Sequence, residues 1–219
     1  PYYKQDETVI QEIQKENADY VSQLAFLHQE GFPFYRNTDF SFYSPCEEGF
    51  ERMIKELKKA EKYIFMEYFI IEEGIMWNSI LSILEEKVKQ GVEVRVMYDD
   101  MGSLNTLPAS YTRQLEKKGI KAVSFNRISP VINTIMNHRD HRKILVIDGK
   151  VAFSGGANLA DEYINEKVIH GHWMDNIICV KGNAVWSYLV TFLTNWNALR
   201  HEDEDYTVFK NKETIDESN

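Results

Sequence analysis

Apolar residues recur along this chain with two different periods, and the alternation between them lays out its elements. Between Glu47 and Glu61, Phe50, Ile54 and Leu57 share one helical face while Lys55, Lys58 and Lys59 share the other, which predicts an amphipathic helix. Tyr63–Ile71 is a short apolar run that carries Glu67 in its middle. It is too short to cross a bilayer and reads as a buried strand. Helical spacing returns over Met76–Gln90 and closes on Gly91, a residue suited to a helix C-terminus. Strand Val92–Tyr98 follows and ends in Asp99-Asp100. Helix Pro108–Lys118, closed by Gly119, leads to strand Lys121–Phe125. A loop containing Ser129-Pro130 then delivers the chain to residues 141–147, polar at first and apolar over Ile144, Leu145, Val146 and Ile147. Asp148-Gly149 is a hairpin turn signal, with Val151–Ser154 as the returning strand. Strand Asn176–Val180 and helix Asn183–Arg200 complete the unit.

Strands alternating with helices predict an α/β domain over residues 37–200, with a mixed, largely parallel sheet and helices on both faces. Residues 1–36 read as a helical lead-in (Val9, Ile10, Ile13, Val21, Leu24, Leu27), broken at Gly31-Phe32-Pro33 and followed by a short first strand, Phe40–Tyr43. Residues 201–219 turn acidic and polar, the composition of a linker or tail. Trp186, Tyr188, Phe192 and Trp196 fall at helical spacing, as core or interface residues do.

Composition narrows the function classes. At 219 residues the chain can bury one sizeable core. Its net charge of -9, from 25 basic and 34 acidic residues, argues against a broad basic surface for nucleic acid. Cys46 and Cys179 form no CxxC pair and read as reduced thiols. A first residue of Pro1 rather than Met, with no signal peptide visible, is expected of a fragment whose upstream membrane anchor is missing.

The candidate chemistry lies around His141. If residues 141–147 form one strand, His141 and Lys143 point the same way, roughly 6.6 Å apart, and reach different atoms of one phosphate. A phosphodiester needs a nucleophile, positive charge on its non-bridging oxygens and a proton for the leaving alkoxide. His141 fits the first need and Lys143 the second. Asn158 offers an amide N–H to another oxygen, and Gly155-Gly156 let backbone approach a ligand. Asp175 is the candidate acceptor for the second ring nitrogen of His141. Asp148 has the opposite strand parity, so its part in the catalytic set is to hold the scaffold. Asp99-Asp100 read equally as groups near the site or as turn-capping acids. Glu67, odd in an apolar strand, is expected to be hydrogen-bonded near the site. His170-Gly171-His172 with Asp175, His138 and His141 contain no pair at helical i, i+4 spacing, so no metal site is expected there.

His141, Lys143, Asp148, Gly155, Gly156 and Asn158 reproduce H-x-K-x4-D-x6-G-G-x-N, the signature of the phospholipase D superfamily, which this chain resembles. The finer resemblance is to the first catalytic half of bacterial cardiolipin synthases. It rests on Asn37-Thr38-Asp39-Phe40, Met66-Glu67-Tyr68-Phe69-Ile70-Ile71, Gly91-Val92-Glu93-Val94-Arg95 and Tyr98-Asp99-Asp100-Met101-Gly102-Ser103. Asn137-His138-Arg139-Asp140-His141-Arg142-Lys143 and Asn158-Leu159-Ala160-Asp161-Glu162-Tyr163 add to it.

The resemblance implies cofactor-free transfer through a phosphohistidine. His141 would be the nucleophile, Lys143 and Asn158 the phosphate ligands, and Asp175 the acid that orients the histidine. Two phosphatidylglycerol molecules would give cardiolipin and glycerol at a membrane surface. The full-length protein would then sit at the cell membrane with its catalytic domain facing the cytosol, and this fragment would be soluble. A second half, downstream in the same chain or from a homodimer, would supply the general acid, leaving the fragment alone inactive. The alternatives are a phospholipase D-type hydrolase and a nuclease of the same superfamily; a non-catalytic binding module would be expected to lose His141 or Lys143. Two positions depart from the family. Trp173-Met174-Asp175 replaces a Trp-Arg-Asp run, and Asp140 stands where asparagine is usual. That extra negative charge should weaken anion binding unless Arg139 or Arg142 neutralises it.

Overall fold

The computed structural model describes residues 5, 7–16, 18–126, 139–169 and 171–211. The loop with Ser129-Pro130, Asn137, His138, His170 and residues 212–219 lie outside the described residues. Helices α1 (Glu7–Glu16) and α2 (Val21–Gln29) make up the lead-in, of which Val9 and Ile10 alone are buried among the described helical positions. The domain then runs β1 (Thr38–Tyr43), α3 (Cys46–Leu57), β2 (Tyr63–Tyr68), α4 (Ile75–Lys89), β3 (Glu93–Asp99), α5 (Tyr111–Lys117) and β4 (Lys121–Phe125). After the undescribed segment come β5 (Lys143–Ile147), β6 (Val151–Gly155), β7 (Ile177–Gly182) and α6 (Val185–Arg200).

The seven strands form one sheet in the order β1-β7-β6-β5-β2-β3-β4. The α/β class holds, but the expectation of a largely parallel sheet does not. Only β2·β3 and β3·β4 pair in parallel; the other four pairings are antiparallel. The reason is the connections. Helices α4 and α5 return the chain to run parallel, whereas the turn at 148–150 and the loop at 156–176 contain no α-helix and reverse it.

β2 and β5 lie at the centre and are buried along their whole lengths. One face of the sheet packs against α3, α4 and α5 through residues such as Met53, Leu57, Trp77, Ile80 and Leu115. The other packs against α6, where Phe65 stacks on Phe192 at 5.1 Å between ring centroids. Each such fully buried side chain contributes about 1.5–3 kcal/mol.

Residues 201–211 are mostly exposed but make contacts with the domain. A short 3-10 turn at Tyr206–Phe209 buries Tyr206 and sets Phe209 against Tyr63 and Phe65, 5.3 and 5.2 Å between ring centroids. Glu204 forms a bidentate bond to the buried Arg95 at 2.7 and 2.8 Å.

Candidate active site at the entry to β5

The strand starts at Lys143, two residues later than the apolar pattern suggested, so His141 and Arg142 belong to the loop that feeds it. His141 is consequently exposed, while Lys143 is 4% exposed. The two still meet. Lys143 Nζ donates to the His141 carbonyl at 2.8 Å and lies 3.2 Å from Nδ1 and 3.4 Å from Nε2 of the same residue. Phe69, just past β2, backs the pair, its ring centroid 4.6 Å from the imidazole and 5.3 Å from Nζ. Burial pushes the Lys143 ammonium down to about 8, against the opposing pull of Asp175 and Asp140.

The loop before His141 is held from below. Asp99, at the end of β3, accepts from the backbone N–H groups of Met101 and Gly102, both at 2.9 Å, and from that of Asp140 at 3.0 Å. Arg139 lies 3.5 Å from the same carboxylate. Asp99 is therefore the turn-capping acid, and it also fixes the approach to the histidine. Asp140 accepts from the Arg142 N–H at 3.2 Å, and the Arg142 guanidinium stands 3.6 Å from it and 3.4 Å from Glu67. Glu67 is 1% exposed and also accepts from Asn195 on α6 at 2.9 Å. Its carboxyl is raised to about 9, first by burial and then by Asp140.

The remaining signature residues are placed differently from their expected contacts. Asp148 accepts three backbone N–H bonds, from Glu61, Lys62 and Tyr63, each at 2.8 Å, and so ties the hairpin turn to the start of β2. These bonds give it the scaffolding position that its strand parity suggests. Asn158 is 3% exposed; its carbonyl accepts from Ile70 N–H at 3.1 Å and its amide donates to Tyr163 Oη at 2.7 Å. One amide hydrogen remains for any ligand. A Cβ on Gly156 would collide with the Asp175 carboxylate, and one on Gly155, at φ +144°, with the Asn176 carbonyl. The glycine pair thus admits neighbouring protein, and Gly155 also lines the cavity onto which His141 and Lys143 open. Asp175 accepts from Asn176 N–H at 2.7 Å and acts electrostatically on Lys143. Among the described residues it makes no hydrogen bond to His141.

The motif segment 158–163 is mostly a clamp. Leu159 bridges to Ile71, and Asp161 accepts from the N–H groups of Ile75 and Met76 at the start of α4. Met174, in place of the family arginine, is 68% exposed. Cys46 and Cys179 are free and buried, and burial with help from Asp175 pushes Cys46 up to about 12. Among the described residues no group of three or more His, Cys, Asp or Glu is arranged to hold a metal ion.

His141 and Lys143 open onto a cavity of about 530 Å³ whose wall the sequence did not announce. Phe32, Pro33 and Tyr35 reach it from the lead-in, Ser154 from β6 and Tyr188 from α6. Tyr35 Oη and Ser187 Oγ, 2.7 Å apart, fasten the lead-in to α6. The break at Gly31-Phe32-Pro33 was the one available hint, since a stretch of exposed aromatics after a helix stop is poorly suited to a plain linker.

Residues 53–192 match the family described as "Cardiolipin synthase, PLD-like domain". The chain belongs to this family. It is 35% identical to cardiolipin synthase 2 of Staphylococcus epidermidis over 167 residues, 76% of this chain and 34% of that protein. It is 49% identical over 205 residues to an uncharacterized protein of Streptococcus mutans, covering 93% of this chain and 44% of that one. The chain therefore spans less than half the length of these curated relatives. In fold it is similar to the phospholipase D family member Nuc of Salmonella typhimurium, with a TM-score of 0.55 at 17% identity over 74% of this chain and 95% of that one. Among the described residues no helix is long and apolar enough to cross a membrane.

Proposed function

We propose that this chain is one half of a phosphatidyltransferase that makes cardiolipin from two phosphatidylglycerol molecules at a membrane surface. The observation that carries the reading is an exposed imidazole held against a buried ammonium at the rim of a mostly apolar cavity, in a domain of this family. A ring nitrogen of His141 attacks phosphorus, the bond to the glycerol oxygen breaks, and glycerol leaves with a proton from a group in the second half. The terminal hydroxyl of the second phosphatidylglycerol then attacks, gives up its proton to that same group, and the P–N bond breaks to restore His141.

Lys143 neutralises charge on the phosphoryl oxygens, with Asn158 as a further ligand through its remaining amide hydrogen. Asp175 serves as counter-charge to Lys143 and would reach the His141 ring once it becomes an imidazolium. Phe32, Tyr35 and Tyr188 give the cavity the apolar wall that an acyl chain requires.

The full-length protein, fed phosphatidylglycerol vesicles, should yield cardiolipin, glycerol and an acid-labile phospho-enzyme. His141→Ala should lower the rate by roughly 10³-fold or more and abolish the phospho-enzyme. Phosphatidic acid as the sole product would turn the reading to hydrolysis. Unchanged cardiolipin output by the variant would remove His141 as nucleophile.

A further inference from the structure

Glu67 on β2 and Asp140 in the loop before His141 are 1% and 6% exposed. Glu67 Oε2 and Asp140 Oδ2 are both buried with no donor among the described residues, and the two carboxyl groups meet at one guanidinium, that of Arg142, and act on each other electrostatically. Two ionised carboxylates have no hydrogen to offer each other, whereas one proton between them would satisfy both orphaned oxygens. We infer that Glu67 and Asp140 form a proton-sharing carboxyl pair that fixes the turn carrying His141 and keeps the charge beside the phosphate site at one negative rather than two. The structural part stands alone; the functional part rests on the reading of His141 as nucleophile.

The surroundings suit this role. Arg142 faces both carboxyls, at 3.4 Å from Glu67 and 3.6 Å from Asp140. From α6 comes the neutral Asn195 amide. The β3 and β5 neighbours of Glu67 in the sheet are Met97 and Ile144, both apolar. Asp99 accepts from the Asp140 N–H and is itself faced by Arg139. Lys143, on β5, is the other cation within electrostatic reach of Asp140. Arg142 is the cation that faces both carboxyl groups, and Lys143 is shared between Asp140 and Asp175, so a proton on the pair closes the charge difference. Asp140 is held at two points, its N–H by Asp99 and one carboxyl oxygen by the Arg142 N–H, and the shared proton would hold the other oxygen. The residue before the nucleophile is therefore set by bonds that His141 does not make. The arrangement also suits an aspartate at a position where the resemblance leads to an expectation of asparagine, because an amide N–H can occupy the place of the shared proton. Glu67 and Asp140 are positioning residues.

Difference infrared spectroscopy on this chain tests the pair without any substrate. A protonated-carboxyl band should be present at neutral pH, vanish on titration through about 9, and be missing from Glu67→Gln and Asp140→Asn. Absence of that band from the wild-type protein at neutral pH overturns the proposal. Should either variant fold poorly, wild-type stability gives a second reading. The raised carboxyl favours the protonated folded state, so its contribution is full below the ordinary glutamate value of 4.5 and is lost as pH rises towards about 9. A wild-type unfolding midpoint flat across that range would count against the pair.

In the full-length enzyme, Asp140→Ala should lower kcat/KM by about 10²-fold through a misplaced histidine, and Asp140→Asn should recover most of it. Above the titration range the wild type, which must keep both Lys143 and the pair protonated, should lose log kcat/KM with a limiting slope of two, and Asp140→Asn with a slope of one. Equal slopes would deny the pair a role in turnover. A band present in a protein that makes no cardiolipin would instead sink the proposed reaction and leave the pair standing.

Discussion

Two groups of charged side chains are buried on the α6 face of the sheet, only two residues apart along β2, and they are built to opposite standards. Opposite Phe65, Arg95 is paired with Glu93 and Glu204 and enclosed by the rings of Phe65, Trp196 and Phe209 at 4.6, 5.3 and 5.1 Å. Glu204 and Glu93 raise the arginine further against its burial, and Lys121 and Arg95 hold Glu93 below the usual carboxylate range. Around Glu67, by contrast, two carboxyl oxygens lack donors, one carboxyl is raised, and the nearby Lys143 is lowered. A staple gains from complete pairing, since its ions then stay ionised at every ordinary pH. A reacting site gains from incomplete pairing, since groups held near their titration points can exchange protons and bind charge.

The sharpest way to break the contrast is to remove one charged group from each cluster's neighbourhood. Lys143→Met should reduce phosphatidyl transfer by roughly 10³-fold or more while leaving thermal stability level or slightly raised, because a poorly solvated ammonium is lost. Turnover and calorimetry on one preparation decide this. At the other cluster, Glu204→Ala should leave Arg95 short of its bidentate partner and cost about 3 kcal/mol in denaturant unfolding. A loss under about 1 kcal/mol would mean that Glu93 and the aromatic enclosure suffice.

Asp148→Ala should cost about 2 kcal/mol through three orphaned N–H groups, with little change in the slope of any pH profile. Binding of inorganic phosphate, followed by calorimetry, should weaken as pH passes through about 8 and Lys143 loses its proton; no such change is expected from Arg95. Smallest of all, Lys121→Ala at the exposed rim of the Arg95 cluster should fall within about 0.5 kcal/mol.

Local periodicity carried most of the elements in the sequence: β4 occupies the Lys121–Phe125 span that its pattern predicts, and α4 and α6 lie within a residue or two of theirs. Strand direction was less legible, because helical connections imply parallel pairing and the two reversals without an α-helix on either side of β6 had to be weighed separately. At the site, His141 and Lys143 are two residues apart, so their meeting could be read from spacing alone. The bond between Asn158 and Tyr163 was harder, since an asparagine side chain is equally fit to face a ligand or a tyrosine. Contacts across long separations, Glu67 with Asp140 and Tyr35 with Ser187, leave no periodic trace at all. They arise from how the sheet order and the lead-in bring remote segments together.

The clamp between residues 158–163 and the stretch after β2 also sets a clock. The amides of Ile70, Glu72, Ile75 and Met76 donate to Asn158, Leu159 and Asp161, while that of Ile71 donates to Ser103. None of these five protons is held by its own helix or strand, so the four tied to the clamp can exchange with solvent only when remote chain lifts away. Their shared deuterium-exchange rate would time the opening of the floor beneath Phe69 and His141.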